Sequence, residues 1–235
     1  SQGITEVINT VHYQHPKVEG KDISFSRVKK ELDLLQEELI KSNIKIKLHC
    51  GAEVFFLPNL MQIKNDPLST FTHGRYMLIE FQFHQLPDIH KQQFFDLKMA
   101  GVTPIIAHPE RYKPVQDNIS LITGWLESGC LIQIDAGSVL GMLGPKAKIT
   151  SEIIIKNGWS HILGSDAHDN HNRNFCLKEG LDKVHNWIGN DAFKMVNDNP
   201  KSIINGNIID FDFDYDTNVS KSKFYSPIKK ILGVK

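Results

Sequence analysis

The stretch Thr103-Pro104-Ile105-Ile106-Ala107-His108 is a short apolar run with a histidine at its downstream end. Four further apolar runs along the chain are also followed by acidic or imidazole side chains that can bind a metal. If these runs are parallel strands, their carboxyl ends lie along one rim, which is where βα folds keep their chemistry. The residues that this arrangement would bring together are His12, Glu53, Glu80, His108, Asp166 and His168.

Strand-like and helix-like segments alternate along the chain, an order typical of an α/β protein with a parallel sheet. The clearest helix is predicted at residues 25–41, where Val28, Leu32, Leu35 and Leu39 recur on one face. The number of strands suits a closed or nearly closed barrel, and a turn-rich passage is expected after residue 196. We predict strands at residues 4–10, 44–48, 76–81, 103–107, 131–135 and 161–164, and further helices at residues 57–64, 87–100, 119–128, 145–157, 174–188 and 192–196.

Bulk composition excludes several classes of protein. The 27 Lys and Arg residues balance the 27 Asp and Glu residues, so no basic field indicates a nucleic-acid partner. No apolar run approaches the ~20 residues that membrane insertion requires. Cys50, Cys130 and Cys176 are widely spaced and odd in number, which favours a reducing, cytoplasmic setting over a disulfide framework. No Cys-x5-Arg phosphate loop is present, so a cysteine-based phosphatase mechanism has no support.

The length of 235 residues suits one sizeable domain, which we place at residues 1–209. Residues 210–235 differ in kind, because an acidic and aromatic segment, residues 210–216, is followed by a lysine-rich end. We interpret residues 210–235 as a flexible extension or docking segment.

The strongest local signal for chemistry is Gly164-Ser165-Asp166-Ala167-His168. In extended chain, residues two apart point to the same face, so Asp166 and His168 would face one pocket. A hydrogen-bonded loop is the alternative reading, but the similar ends of the other strands favour metal ligands. A mixed His, Asp and Glu set indicates a hydrolytic cluster of first-row divalent ions, because a structural zinc site would prefer sulfur ligands.

Glu53 and Glu80 each follow an apolar or small-residue stretch that should be buried. A buried carboxylate must be paired, hydrogen-bonded or metal-bound, and a salt bridge is the competing explanation. Arg111 lies three residues after His108 and offers the planar fork of donors that phosphate recognition needs. Arg173, five residues after His168, is a second such cation, with a solvated arginine at a helix start as its alternative.

Taken together, these motifs resemble the PHP (polymerase and histidinol phosphatase) superfamily, and most closely its bacterial capsular-polysaccharide-type tyrosine phosphatase branch. The similarity extends in order from the first residues to about Ile209. Each motif alone is weak, whereas His-Pro-Glu-Arg-Tyr combined with Ser-Asp-Ala-His-x4-Arg is specific. The motifs are Thr10-Val11-His12, Gly51-Ala52-Glu53-Val54, Leu78-Ile79-Glu80, Ala107-His108-Pro109-Glu110-Arg111-Tyr112 and Gly164-Ser165-Asp166-Ala167-His168 with Arg173.

The resemblance implies a distorted (β/α)7 TIM-like barrel with a three-metal cluster, usually manganese, with iron, cobalt or zinc as alternatives. It implies hydrolysis of phosphotyrosine on proteins, notably on the tail of a bacterial capsule-assembly tyrosine kinase. By position, Arg111 and Arg173 look like the phosphate-binding pair, and Asp166 or His108 could protonate the leaving oxygen. The residues that look like metal ligands are His12, Glu53, Glu80, His108, Asp166 and His168.

One departure from the family pattern concerns the amino end. The family opens with a His-x-His strand, a metal-binding Asp and a helix, whereas this sequence starts near the end of that helix. We therefore expect the first strand–helix unit to be missing or incomplete, with an incomplete metal cluster and lowered metal occupancy. Exposed sheet edges are a liability, so instability, self-association into a homo-oligomer or a substitute element is also expected.

The hypothesis from sequence is a metal-dependent phosphomonoesterase acting on phosphotyrosine, without a covalent phosphoenzyme. Two alternatives remain open at this point. One is a small-molecule phosphatase of the histidinol-phosphate type that uses the same metal rim. The other is a catalytically impaired module that keeps the arginines and binds phosphotyrosine without hydrolysing it.

Overall fold

Six strands form the framework of residues 2–209, which are the residues that the computed structural model describes. The predicted tail, residues 210–235, lies outside the described residues. The predicted bounds of the fourth and fifth strands are confirmed, and the other four strands are present with shifted ends. The strands are β1 (Glu6–Tyr13), β2 (Lys47–Phe55), β3 (Tyr76–Glu80), β4 (Thr103–Ala107), β5 (Leu131–Asp135) and β6 (Ile162–Gly164).

The strands make one parallel sheet in the sequential order β1 to β6, so β1 and β6 are its two edges within residues 2–209. The ring of His12 on β1 lies 5.6 Å from that of His168, just beyond β6. This short distance between the two edges shows that the sheet curls. The parallel α/β prediction is confirmed, and the sheet is an open half-barrel in which β1 and β6 do not pair. Gln2 joins the two sides by hydrogen bonds to Phe175 and Lys178, which follow β6.

Strands β1 and β2 correct the predicted strand ends. They pair in parallel from Glu6 with Lys47 to Tyr13 with Val54, and His12 pairs with Glu53. The sequence pattern had placed His12 and Glu53 after the ends of these strands. In the structure both residues lie inside the strands. The reason is that each strand continues for as long as its backbone finds a hydrogen-bonding partner on the neighbouring strand, which the hydropathy of one segment does not indicate.

Ten α-helices connect and follow these strands in the described residues. Helix α1 has its predicted bounds, but Leu35 is 49% exposed and Val28 and Leu32 alone are buried on its face. The expected turn-rich passage is wrong over Asp198–Asn205, which form α10 with Pro200 in the first turn, where proline is tolerated. It is confirmed after Asn205, where Gly206 ends the helix with a left-handed backbone. The helices are α1 (Phe25–Lys41), α2 (Leu60–Ile63), α3 (His90–Met99), α4 (Lys113–Asp117), α5 (Ser120–Glu127), α6 (Ala136–Leu140), α7 (Pro145–Lys156), α8 (Leu177–Ile188), α9 (Asp191–Lys194) and α10 (Asp198–Asn205).

Alternate residues along the strands enter two separate apolar clusters, although β2 contributes only to the larger one. On β3, Met77 and Ile79 pack with the helices in the larger cluster, whereas Tyr76 and Leu78 belong to the smaller one. Glu80 has the same parity as Tyr76 and Leu78, so it faces the side of the sheet that the smaller cluster covers. The strand period thus places polar residues at the carboxyl ends on the concave side.

The opposite end of the concave side is closed by apolar and hydrogen-bonded contacts. The ring of Phe71 lies so close to Gly51 that a Cβ there would be 2.6 Å from it, which explains the glycine. The hydroxyl of Tyr76 donates to the carbonyl of Asn207, and His73 bonds to the carbonyl of Ile203 in α10. The concave side is therefore filled at the amino ends of the strands, and the polar residues lie at the carboxyl ends.

Candidate functional site

Two carboxylates from neighbouring strands form the centre of the site. Glu53 of β2 and Glu80 of β3 both contact His108, whose Nε2 is 3.1 Å from Glu53 Oε1 and 3.6 Å from Glu80 Oε1. His12 approaches from β1, with Nδ1 3.6 Å from Glu53 Oε2 and 3.8 Å from Glu80 Oε2. Four of the residues predicted from sequence therefore meet in one cluster.

The donor set of this cluster fits a divalent cation. Glu53, Glu80 and His108 are 5%, 6% and 1% exposed. His12 Nδ1 and Glu80 Oε2 are buried without a hydrogen-bond partner, a costly condition that a bound cation would relieve. One ligand atom from each of His12, Glu53 and Glu80 lies within 4.8 Å of the others. Imidazole and carboxylate ligands together suit first-row divalent metals.

Burial and mutual repulsion perturb the protonation of these groups. Burial, helped by the charge of Glu53, raises the pKa of Glu80 to about 7. Burial is the largest influence on Glu53 and acts to raise its pKa, but the hydrogen bond to His108 and the charges of His108, His12 and Arg111 together outweigh burial, so that pKa is lowered. Burial opposes a charge on His108, yet Glu53 raises the pKa of the imidazole to about 9. A divalent cation in place of the His108 proton would stabilise both carboxylates in their charged forms.

A second cluster of charged groups surrounds Asp166. Arg111 Nη1 is 2.7 Å from Asp166 Oδ2 and 3.6 Å from Asp135 Oδ2. Arg173 donates to the same Asp166 Oδ2 and to the Asp166 carbonyl. His168 Nδ1 lies 3.6 Å from Asp166 Oδ1. Both predicted phosphate-binding arginines therefore meet at one carboxylate.

The two clusters adjoin each other and form one site. The ring of His12, which contacts Glu53 and Glu80, lies 5.6 Å from the ring of His168, which contacts Asp166. A continuous path of contacts therefore links all eight residues that sequence reasoning selected. They are His12, Glu53, Glu80, His108, Arg111, Asp166, His168 and Arg173.

The alternation argument for Asp166 and His168 is wrong, although both residues reach the pocket. Asp166 lies beyond β6 with φ of +44°, in the left-handed region, and is not in extended chain. His108, directly after β4, has φ of +32°. Non-glycine residues rarely adopt such values, and they cluster at functional sites where the surroundings hold them. Strained turns, and not the strand period, aim both side chains.

Asp135 and Glu110 are site residues that sequence reasoning missed. Asp135 ends the apolar strand β5, so the pattern that selected the other residues could have found it. Its pKa is raised to about 6 by burial and then by Asp166. Glu110 is fully buried, and its Oε1 accepts the Asp135 backbone N–H at 3.1 Å. Burial and the charge of Asp135 raise the pKa of Glu110 to about 7. No local sequence pattern indicates that Glu110 is buried in the site.

Aromatic residues hold the segment that follows β4. The guanidinium of Arg111 lies over the ring of Phe83, 4.8 Å from its centre, and the same ring stacks with His108. Tyr112 is fully buried, donates its hydroxyl to the Ala107 carbonyl at 2.7 Å and accepts the Phe81 N–H at 3.0 Å. These contacts fix the position of the arginine relative to the carboxylates.

His15 is a third missed residue, to which no role was assigned from sequence. Its ring lies 4.7 Å from the ring of His12, and its Nε2 is 3.8 Å from Glu80 Oε2. Burial lowers the pKa of both His12 and His15, with the charges of nearby groups as smaller causes. Its nearness to His12 in the chain was the one available signal.

A curled parallel sheet with an acidic and imidazole cluster beside two arginines at its carboxyl ends defines a PHP-type metal-site protein. The chain belongs to the family described as capsular polysaccharide synthesis, CpsB/CapC, whose family model matches residues 1–205. The family resemblance predicted from sequence is confirmed.

Individual relatives support the same assignment. The chain is 30% identical over 209 residues to tyrosine-protein phosphatase YwqE of Bacillus subtilis (strain 168), covering 88% of this chain and 81% of the relative. It is 26% identical over 218 residues to tyrosine-protein phosphatase CpsB of Streptococcus pneumoniae, covering 88% of this chain and 87% of the relative.

A solved structure confirms the fold. It comes from work on YwqE from Bacillus subtilis and CpsB from Streptococcus pneumoniae, described as unique metal-dependent tyrosine phosphatases. The TM-score is 0.81 at 30% identity, and the match covers 89% of this chain and 84% of the other. Among residues 2–209, no helix has the length and hydropathy needed to cross a bilayer.

Proposed function

We propose that this protein is a metal-dependent protein-tyrosine phosphatase that acts in the regulation of capsule or exopolysaccharide synthesis. The observation that carries the proposal is the buried His12, Glu53 and Glu80 cluster, whose unpaired atoms face one another next to the arginines that meet at Asp166. A cation-binding cluster adjoining two guanidinium groups suits a phosphate monoester, which needs charge neutralisation on its oxygens. The family and the printed names of the relatives support phosphotyrosine as the substrate.

Divalent ions, in our proposal manganese with iron, cobalt or zinc as alternatives, would occupy the cluster. When bound, such ions lower the pKa of a coordinated water and neutralise charge on the phosphoryl group. The buried carboxylates favour a doubly charged ion because burial leaves their own repulsion poorly screened. The proposed ligands are His12, Glu53, Glu80, His108, Asp166 and His168.

The arginines would bind and orient the substrate. Arg111 and Arg173 approach from different segments, so two planar forks can hold different non-reacting phosphoryl oxygens. The ring of Phe83 packs against the guanidinium of Arg111, and Asp166 accepts hydrogen bonds from both arginines. In this proposal the proton for the leaving tyrosyl oxygen would come from Asp166 or from His108. The proposed hydrolysis needs no covalent phosphoenzyme, because the oxygen that attacks phosphorus comes from water and the tyrosyl oxygen leaves.

We further propose that residues 1–209 form the catalytic domain and that the protein acts in the cytoplasm. Its partner would be a phosphotyrosine-bearing protein, with the tail of a capsule-assembly tyrosine kinase as the leading candidate. Self-association into a homo-oligomer remains part of the proposal, since β1 and β6 are unpaired edges in the sheet of residues 2–209.

Phosphate release from a phosphotyrosine peptide and from histidinol phosphate tests the proposal directly. With manganese added, we expect turnover of the peptide and a much smaller kcat/KM for histidinol phosphate. Arg111→Lys should lower the peptide rate, whereas Arg27→Lys, a surface change on α1, should not. Preference for histidinol phosphate would indicate the small-molecule alternative. Stable peptide binding without phosphate release in manganese would indicate a binding module.

A further inference from the structure

His15 is held over the metal-binding cluster by the local sequence Gln14-His15-Pro16. Gln14, directly after β1, has a left-handed backbone with φ of +59°, which turns the chain at the rim. The following proline restricts His15 to extended geometry, observed as φ −77° and ψ 139°. The ring of Phe55 packs edge-on against the imidazole at 4.9 Å. The imidazole is therefore fixed from the backbone and from one side.

One hydrogen bond determines which nitrogen of His15 carries the proton. The backbone N–H of Lys17 donates to His15 Nδ1 at 3.0 Å. A nitrogen that accepts a hydrogen bond has no proton, so the neutral imidazole carries its proton on Nε2. Nε2 could not bind a metal without giving up this arrangement. His15 is thus a hydrogen-bond donor toward the cluster.

The group that faces this donor is Glu80 Oε2, at 3.8 Å, just outside hydrogen-bond range. Oε2 is buried and has no hydrogen-bond partner, while the other oxygen of the same carboxylate lies 3.6 Å from His108. A small rotation of the carboxylate or of the ring would complete the bond. Such an outer contact fixes which lone pair of a ligating carboxylate is presented to a cation.

We propose that His15 is a positioning residue that orients the Glu80 carboxylate toward the cation held with His12 and Glu53. This role rests on the proposed function, because it assumes that the cluster binds a divalent ion. Loss of an outer-shell partner of this kind lowers metal affinity by about 10- to 100-fold. His15 lies outside the motifs that carry the family resemblance.

Isothermal titration of the metal-free full chain with manganese chloride tests the role with two matched variants. In His15→Asn, the amide oxygen of asparagine can still accept the Lys17 N–H, but the side chain is too short to reach Glu80. The Kd for manganese should therefore rise about 10- to 100-fold. Gln in His15→Gln carries an N–H donor near the position of Nε2, so its Kd should stay within about threefold of wild type. His49→Asn, which loses a contact with Glu6 on β1, is the control and should leave the Kd unchanged.

Thermal unfolding without metal shows whether each variant is folded before titration. Wild-type affinity in His15→Asn would overturn the role of His15 and leave the proposed function standing. Equal loss in His15→Asn and His15→Gln would also overturn it, because the imidazole itself and not its donor would then matter. A wild-type chain that binds no manganese would overturn the proposed function and this role together.

Discussion

The candidate site has two halves that are held in different ways. The strand half consists of Glu53, Glu80 and His108, on or directly after sheet strands, with side chains 1–7% exposed. The loop half consists of Asp166, His168 and Arg173, after β6, and its histidine and arginine side chains are 34% and 29% exposed. The sheet fixes the strand half, whereas the loop half depends on hydrogen bonds within its own turn.

The turn of the loop half is closed by backbone contacts. The N–H groups of His168 and Asp169 both donate to the Arg173 carbonyl, and Asp169 Oδ1 accepts the N–H groups of His171 and Arg173. A buried, rigid carboxylate cluster suits a tightly held cation, and a more exposed arginine turn suits a substrate that must enter and leave. We therefore expect metal affinity to depend mainly on the strand half and substrate binding mainly on the loop half.

The largest effect is expected from Glu53→Gln in the strand half. The change removes the charge that contacts His12 and His108, so metal content should fall and kcat/KM for a phosphotyrosine peptide should drop on the order of 10³-fold. Metal analysis and steady-state kinetics measure both quantities. Glu127→Gln, on the exposed surface of α5, is the matched control. Full metal content in Glu53→Gln would break the division between the halves.

Arg173→Lys tests the loop half. Lysine keeps the charge but loses the planar fork, so kcat/KM should fall roughly 10²-fold while the Kd for manganese stays near wild type. Kinetics paired with manganese titration give the two readouts. A large loss of manganese affinity in this variant would show that the halves are not separable.

The stability of the segment that leads into β6 and the loop half should decrease in acid because of His161, which directly precedes β6. Its Nδ1 accepts the Ile132 N–H, and burial lowers its pKa to about 4. The unfolded chain takes up the proton near pH 6.5, so this stability is complete above that pH and is lost as the pH falls toward 4. From pH 7 to 5 the free energy of unfolding should drop by about 2 kcal/mol from this group.

Urea unfolding at the two pH values measures that loss, and His161→Asn supplies the comparison. Asparagine offers an acceptor to Ile132 without a titrating ring, so its stability should decline less over the same range. An identical decline in both proteins would exclude His161 as the source.

The smallest effect is expected from Phe83→Leu, which removes the ring under Arg111 at the edge of the strand half. A cation–π contact of this kind contributes about 1 kcal/mol, so kcat/KM should fall about fivefold. Phe95→Leu, at an exposed ring on α3, is the matched control in the same kinetic assay. Equal rates for wild type and Phe83→Leu would show that the carboxylates of Asp166 and Asp135 position Arg111 without the ring.

Local signals predicted much of the fold. The bounds of α1, β4 and β5 match because apolar period, proline and glycine act within a few residues. The bounds of β1 and β2 do not match, because their length is set by pairing with each other. His12 and Glu53 were still selected, since their residue types and approximate position did not depend on the strand end.

The sequence by itself determined an alternating α/β chain and the residue types at the ends of its strands, which suffice to select His12, Glu53 and Arg111. The tertiary structure decided the left-handed turn at Asp166, the buried support from Glu110 and the raised pKa values of Glu80 and His108. These properties depend on desolvation and on charges from segments distant in the chain. Their free energies exist only once the sheet has curled and brought those segments together.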